Sequence, residues 1–130
     1  MASIFTKIIN GEIPCHKILE DDNYIAFLDV FPLRKGHTLI VPKVEIDNIF
    51  DVEDNLLSGM IVFAKRVAKA IEKTFPCKKI GVTVIGLEVA HAHIHLIPIN
   101  AEKDMNFSNE KLKLETKEME VIANRIIVNL

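Results

Sequence analysis

The run His91-Ala92-His93-Ile94-His95-Leu96-Ile97-Pro98 sets three histidines in alternation with small or apolar residues. Strand side chains alternate faces with period two. A strand here would therefore put His91, His93 and His95 on one face, and Ala92, Ile94 and Leu96 on the other, where they can enter a core. Three imidazoles in a row cannot all be hydrogen-bonded cheaply inside an apolar interior, which leaves metal binding and phosphate chemistry as the readings. Geometry weakens the first: at a rise of about 3.3 Å per residue, His91 and His95 lie about 13 Å apart along an extended strand, whereas a zinc ion holds its nitrogens at about 2.1 Å. The whole row cannot grip one metal without sharp bending. It suits a nucleophile flanked by partners, in which one imidazole attacks and its neighbours orient it and meet charge on the substrate.

Around this run the pattern predicts a small mixed domain. Ile80–Ile85 reads as a strand, with Gly86 as the bend into the histidine segment. Upstream, Cys15–Glu20, Tyr24–Asp29 and His37–Val41 are β-prone runs separated by Asp21-Asp22-Asn23 and by Phe31–Gly36, the punctuation of an antiparallel meander. Asp51-Val52-Glu53-Asp54 looks like a helix start, and Leu57, Met60, Ile61, Ala64, Val67, Ala68, Ile71 and Phe75 keep helical spacing until Pro76. Ile4, Phe5, Ile8 and Ile9 predict a short helix before Asn10-Gly11. Met119, Ile122, Ala123, Ile126 and Ile127 predict a C-terminal one with Thr116 as N-cap. The expected fold class is α+β: an antiparallel sheet of about five strands, one long helix and a C-terminal helix. It forms a single domain over 1–130, with a core over 3–98 and a helical extension over 112–130.

A chain of 130 residues is long enough for one genuine core. Its net charge of −2, with both signs interspersed, provides no basic field for a nucleic-acid backbone, so extended DNA or RNA is not an expected partner. Cys15 and Cys77 stand too far apart for a CxxC site and are too few for a disulfide framework; buried, apolar roles are expected for both. There is no basic amino-terminal flank leading into a long apolar run, and no stretch near the roughly 20 apolar residues that span a bilayer. The chain reads as cytoplasmic, reduced and without a membrane partner.

At the histidine row the sequence resembles the histidine triad family, whose signature is His-x-His-x-His followed by apolar residues. The resemblance extends in order and spacing through Ser3–Pro14, Ala26-Phe27-Leu28-Asp29-Val30-Phe31-Pro32 and Gly36-His37-Thr38-Leu39-Ile40-Val41-Pro42-Lys43. It covers residues 3 to 98 and thins afterwards. It implies a HIT-like fold and a nucleotide hydrolase. His93 would attack the α-phosphate of a purine nucleoside phosphoramidate or similar conjugate, giving a nucleotidyl-histidine intermediate. His91 and His95 would serve the phosphate oxygens, and His37 would sit behind the row. The resemblance also makes Phe5, Ile8, Ile13, Phe27 and Val30 candidates for contact with the nucleoside, and Asp29 the acceptor of ribose hydroxyls. On the residues alone, Asp29 could equally cap a turn. Dinucleoside polyphosphate hydrolysis and a catalytically idle binding module are the alternative readings; retention of His95, where a transferase branch tends to carry Gln, favours hydrolysis over transfer.

Some relatives carry a Cys pair that binds zinc near the amino terminus; Ser3 and Thr6 occupy those places, so no metal and no cofactor are expected. Before the row, Leu87 and Glu88 depart from the family pattern. We expect Glu88 to turn into the site at the Gly86 bend, where an ionised acid would raise the pKa of His93. A homodimer is also expected, because family members pair through the long helix and its neighbouring strand, and because one small sheet does not obviously cover two apolar helices.

Overall fold

The computed structural model describes residues 2–130. Three helices, α1 (Ile4–Ile9), α2 (Asp54–Thr74) and α3 (Thr116–Ile127), accompany five strands: β1 (Lys17–Glu20), β2 (Tyr24–Leu28), β3 (Thr38–Pro42), β4 (Lys79–Thr83) and β5 (Ile94–Ile99). The strands form one sheet in the order β1-β2-β3-β5-β4, antiparallel at every pairing, which is the expected α+β architecture. Because β5 inserts between β3 and β4, the histidine segment reaches the middle of the sheet rather than an edge.

Period two then divides the apolar residues between the two faces. On one face, Tyr24, Ala26 and Leu28 of β2, Ile40 of β3, and Ile94 and Leu96 of β5 meet α2 and α3 in the larger core. On the other, Ile25, Phe27, Leu39 and Val41 pack under Phe5 of α1. With both faces covered, β2 and β3 are buried along their whole length. Each large apolar side chain fully buried contributes about 1.5–3 kcal/mol relative to exposure. The helix-side cluster, with far more members, therefore carries most of the stability, and the thinner α1 face is the one that can be given over to a site.

Both apolar helices find cover inside one chain, because α3 lies beside α2 and over β1 and β2. Met119, Ile122, Ala123 and Ile126 join Met60, Phe63, Val67 and Ile71 in the same cluster. The argument that two such helices demand a second subunit therefore fails. Helix boundaries also differ in detail. Helix α2 starts at Asp54, capped by the Glu53 carboxylate, which accepts from the Asn55 and Leu56 amides. Thr116 is already the first residue of α3, and Glu115 precedes it without a side-chain cap. Strand β4 ends at Thr83, opposite His95, leaving Val84 and Ile85 exposed, because the histidine segment leaves the ladder there. Cys15 and Cys77 are only half-buried. Gly36 turns the chain into β3 at φ +96, and a Cβ there would stand 2.9 Å from the Phe75 ring, so the residue before His37 is pressed against the end of α2.

Candidate active site

The register builds the site. His95 pairs with Leu39, and Leu39 with Phe27, so these three share the α1 face. Asp29 and His37, one residue beyond β2 and one before β3, continue the same parity and meet there. The Asp29 Oδ2 lies 3.5 Å from His37 Nε2, which lies 2.9 Å from His95 Nδ1. The histidine row itself is not one strand. The ladder begins at Ile94, and before it the chain curls: the Ala92 amide donates to Ile46 O at 2.7 Å, and His93 Nδ1 is 2.8 Å from His91 O. The curl brings the His93 and His95 ring centres to 4.9 Å. Ala92, Ile94 and Leu96 are buried as expected. His91, His93 and His95 are buried too, at 0%, 6% and 7% exposure, contrary to the expectation from burial cost. What makes this affordable is that each ring has a specific partner.

Those partners assign the ring protons. The Leu33 amide donates to His37 Nδ1 at 3.0 Å, so the proton of the neutral His37 ring is on Nε2 and is donated to His95 Nδ1. His95 in turn carries its proton on Nε2. His93 donates Nδ1–H to the His91 carbonyl, which leaves a bare lone pair on Nε2. His91 donates Nε2–H to Pro42 O at 2.8 Å and accepts from the Ser3 hydroxyl on Nδ1 at 2.8 Å. Burial favours the neutral form of His37, His93 and His95: it is the main cause holding His37 at about 4 and His95 at about 3, and it lowers His93 from the ordinary value. The site thus presents a free-base nitrogen beside an N–H donor. The donor atoms of Asp29, His37 and His95 lie within 4.8 Å of one another. With protons on His37 Nε2 and His95 Nε2, however, the trio is a hydrogen-bond relay and offers no set of lone pairs to a cation.

Aromatic packing fixes the front of the row. The Phe5 ring stands edge-on to His93 at 4.9 Å, to His91 at 5.8 Å and to Phe27 at 5.6 Å. Helix α1 is held in place by Ser3, whose hydroxyl accepts from the Thr6 amide, and by Glu45. The Glu45 carboxylate accepts from the Ser3 amide and, at 2.6 Å, from the Thr6 hydroxyl. The Thr6 hydrogen bond is the largest of the influences that hold its carboxyl down at about 2. Ser3, Thr6, Glu45 and His91 therefore form one connected cluster at the places considered for zinc. Glu45 was not legible in the sequence, since no motif marks a loop acid whose partners lie about forty residues away.

The remaining candidates divide. Ile8 packs against the Phe5 cluster, and Ile13 is half-buried. Val30 is 56% exposed. Asp29 does cap a turn, its Oδ1 accepting from the Phe31 amide at 2.9 Å, while Oδ2 faces His37. Glu88 is exposed in an irregular segment, so strand parity does not decide its direction. Its charge does pull His93 upward, yet it is the smallest of the named influences, and burial outweighs it. The Glu88 contribution thus has the expected sign, while the net shift of His93 is downward. A surface depression of about 540 Å³ lies elsewhere, bordered by Lys17, Glu20 and Lys43. Both lysines there already pair with Glu20 at 2.8 Å.

Comparison with known proteins gives a consistent result. A family model described as the HIT domain matches residues 10–102. A HIT-like protein of Borreliella burgdorferi is 32% identical over 135 aligned positions, spanning 98% of this chain and 97% of its own. The adenosine 5'-monophosphoramidase of Saccharomyces cerevisiae is 41% identical over 103, spanning 78% of this chain and 65% of its own. The crystal structure of a Hit-like protein from Bartonella henselae superposes with a TM-score of 0.85 at 33% identity, covering 98% of this chain and 96% of the other. A match over most of the chain, the same α+β fold and relatives at this identity together show that this protein belongs to the HIT domain family.

Proposed function

We propose that the protein hydrolyses a purine nucleoside phosphoramidate, or a similar nucleotide conjugate, at the α-phosphate. The observation that carries this is the hydrogen-bond pattern, which leaves His93 Nε2 without a proton and assigns the His95 proton to Nε2 of a ring whose centre is 4.9 Å away. His93 attacks phosphorus and forms an N–P bond as the P–N bond to the departing amine breaks, the amine taking a proton from water. Water then attacks the nucleotidyl-His93, releasing the nucleoside monophosphate, the free imidazole and a proton. Two easier displacements replace one hard one, and the His95 donor meets the charge that grows on the phosphate oxygens. In this reading Asp29 Oδ2, which faces His37, accepts from ribose hydroxyls, and Phe5, Ile8, Ile13, Phe27 and Val30 contact the base. The names of relatives support an adenosine nucleotide: two are called adenosine 5'-monophosphoramidases, and one from Arabidopsis thaliana is called an adenylylsulfatase.

The test is a rapid quench of a single turnover with adenosine 5'-phosphoramidate into alkaline detergent, which preserves the acid-labile N–P bonds of the substrate and of the nucleotidyl-histidine. A burst of amine release equal to the enzyme, with AMP covalently retained on His93, is expected. Nucleotide binding without either signal would make the chain an idle binding module, and faster turnover of dinucleoside polyphosphates would move the leaving group to phosphate.

We also propose a homodimer, on a different footing from the two-helix argument. Strand β4 ends the sheet with one edge open, and Val82 on it is 54% exposed. Ile61 and Val62 on α2 are 52% and 66% exposed. An open edge with apolar neighbours invites pairing with a second copy. Sedimentation at micromolar concentration should show a two-chain species that Val62→Lys weakens; a monomer for the parent would remove the claim. Among the described residues no helix is long and apolar enough to cross a membrane. Free Cys15 and Cys77 fit a reducing, cytoplasmic setting.

A further inference from the structure

Residues 103–112 lie beyond the matched domain, yet the chain returns through them to the histidines. The stretch from Asn100 to Lys111 is polar except for Ala101, Met105 and Phe107. The Phe107 ring centre stands 4.9 Å from His95, with planes inclined at 72°, and 6.1 Å from His37 at 80°. With Phe5 against His93 and His91, the four histidines are thus held between one aromatic ring on each side.

The loop carrying Phe107 is closely cross-bonded. The Asn106 side chain accepts from the Ser108 amide at 2.9 Å, and Asn109 Nδ2 donates to Lys103 O at 2.7 Å. Lys111 Nζ donates to the carbonyls of Phe107 and Asn109. The Leu112 amide is bonded to Pro32 O at 2.8 Å, next to the Leu33 amide that fixes the proton on His37. A loop tied to itself and to that turn holds its one aromatic ring in a defined place.

We propose that Phe107 is a positioning residue, whose ring keeps His95 and His37 in one orientation so that His95 Nε2–H faces the phosphoryl group on His93. The destination of that N–H rests on the proposed function; the positioning itself does not. A half-turn of the His95 ring would exchange Nδ1 for a carbon and break the bond from His37. Phe107 closes the side from which water could enter and compensate. The charged and titratable groups facing the pair are Asp29, His93 and Lys111. Lys111 and His93 lower His37; His93 and His37 itself lower His95, and Asp29 raises it, while burial remains the largest cause for both rings. Opening the Phe107 side should let both rise toward their ordinary value of about 6.5.

The experiment combines kinetics with NMR of histidine-¹⁵N-labelled protein for Phe107→Ala, Phe107→Leu and Phe107→Tyr. In the alanine variant the His95 and His37 nitrogen shifts should average two tautomers, and their titrations should move to higher pH. The kcat should fall about tenfold to a hundredfold with KM little changed, and the loss should deepen as pH falls. Tyrosine should restore both readouts. Leucine, which keeps apolar volume in the loop, serves should the alanine variant fold poorly, and it should give the same tautomer averaging in weaker form. Nitrogen shifts and titrations that match the parent in both the alanine and leucine variants overturn the proposal. Shifts that move while kcat holds leave the positioning standing and overturn the role given to His95 in the reaction.

Discussion

Replacing His93 by alanine is expected to lower kcat by about three orders of magnitude or more, roughly 4 kcal/mol of barrier, with nucleotide affinity changed little. The size follows from the geometry. His93 Nε2 is the one nitrogen of the row with no proton and no protein partner; His91 and His95 each have Nδ1 occupied by an incoming donor. Neither can take over attack without rotating out of its hydrogen bonds, so no nearby group backs up the lost nucleophile. Affinity should survive because Asp29 is held by the turn at Phe31, and Phe5, though it loses the His93 ring, keeps its packing on Phe27 and the rest of its cluster. Single-turnover rates and equilibrium nucleotide binding, measured side by side, test this. A variant that keeps more than a tenth of the parent rate rules out His93 as nucleophile.

Gly59→Ala should be the most damaging single-methyl change in the helix core. Alanine is the better helix former by about 1 kcal/mol, so an exposed glycine here would gain from it. At this position, however, a Cβ would stand 2.3 Å from the Tyr24 hydroxyl and 3.2 Å from its Cζ. The Tyr24 hydroxyl cannot step aside freely, because it donates to Leu56 O at 2.6 Å and its ring packs 5.3 Å from Phe63. Overpacking costs about 1–3 kcal/mol, and a buried hydroxyl torn from its acceptor costs about as much again. The net loss should be about 2–4 kcal/mol, a fall in Tm of about 10 °C. Adding Tyr24→Phe should recover a good part of it, since the two changes share one contact. An unchanged or raised Tm for the single variant would show that α2 shifts off the sheet without cost.

The strands Tyr24–Leu28 and Thr38–Pro42 were legible as short β-prone runs between turn residues, their side chains alternating faces by parity, and both long helices through a period close to 3.6 in the Met60–Ile71 and Met119–Ile126 series. The pairing of Asp29, His37 and His95 on one face follows from the same parity. What the sequence did not disclose is where periodicity stops. Alternation at 91–95 suggested a strand, yet Ala92 and His93 spend their polar groups on Ile46 and His91 instead of on a neighbouring strand, which draws the rings together. Glu45 and Phe107 act through tertiary contacts with no local signature, although a lone aromatic in a polar stretch was a signal for the second. Glu88 pulls His93 upward as the charge argument expects, but the burial of His93, which only the fold reveals, outweighs it.

The position of α3 bears on how the chain is made. Ile18 in β1 shares its core with Met119, Ile122 and Ile126, so the first strand of the sheet is sealed by the last helix. A nascent chain leaves the ribosome amino end first, at about 5–20 residues per second. For several seconds β1 and β2 are therefore outside the ribosome while α3 is still being synthesised. During that interval the apolar side of the meander has only α2 to cover it, and sealing of β1 must wait until α3 has been made. Closing the final core joins distant parts of the sequence, β1 with α3 among them, and such contacts slow the closing step. A cell making this protein would thus rely on holding the early strands apart, and a pause or truncation before residue 116 would release a sticky sheet rather than a smaller working domain.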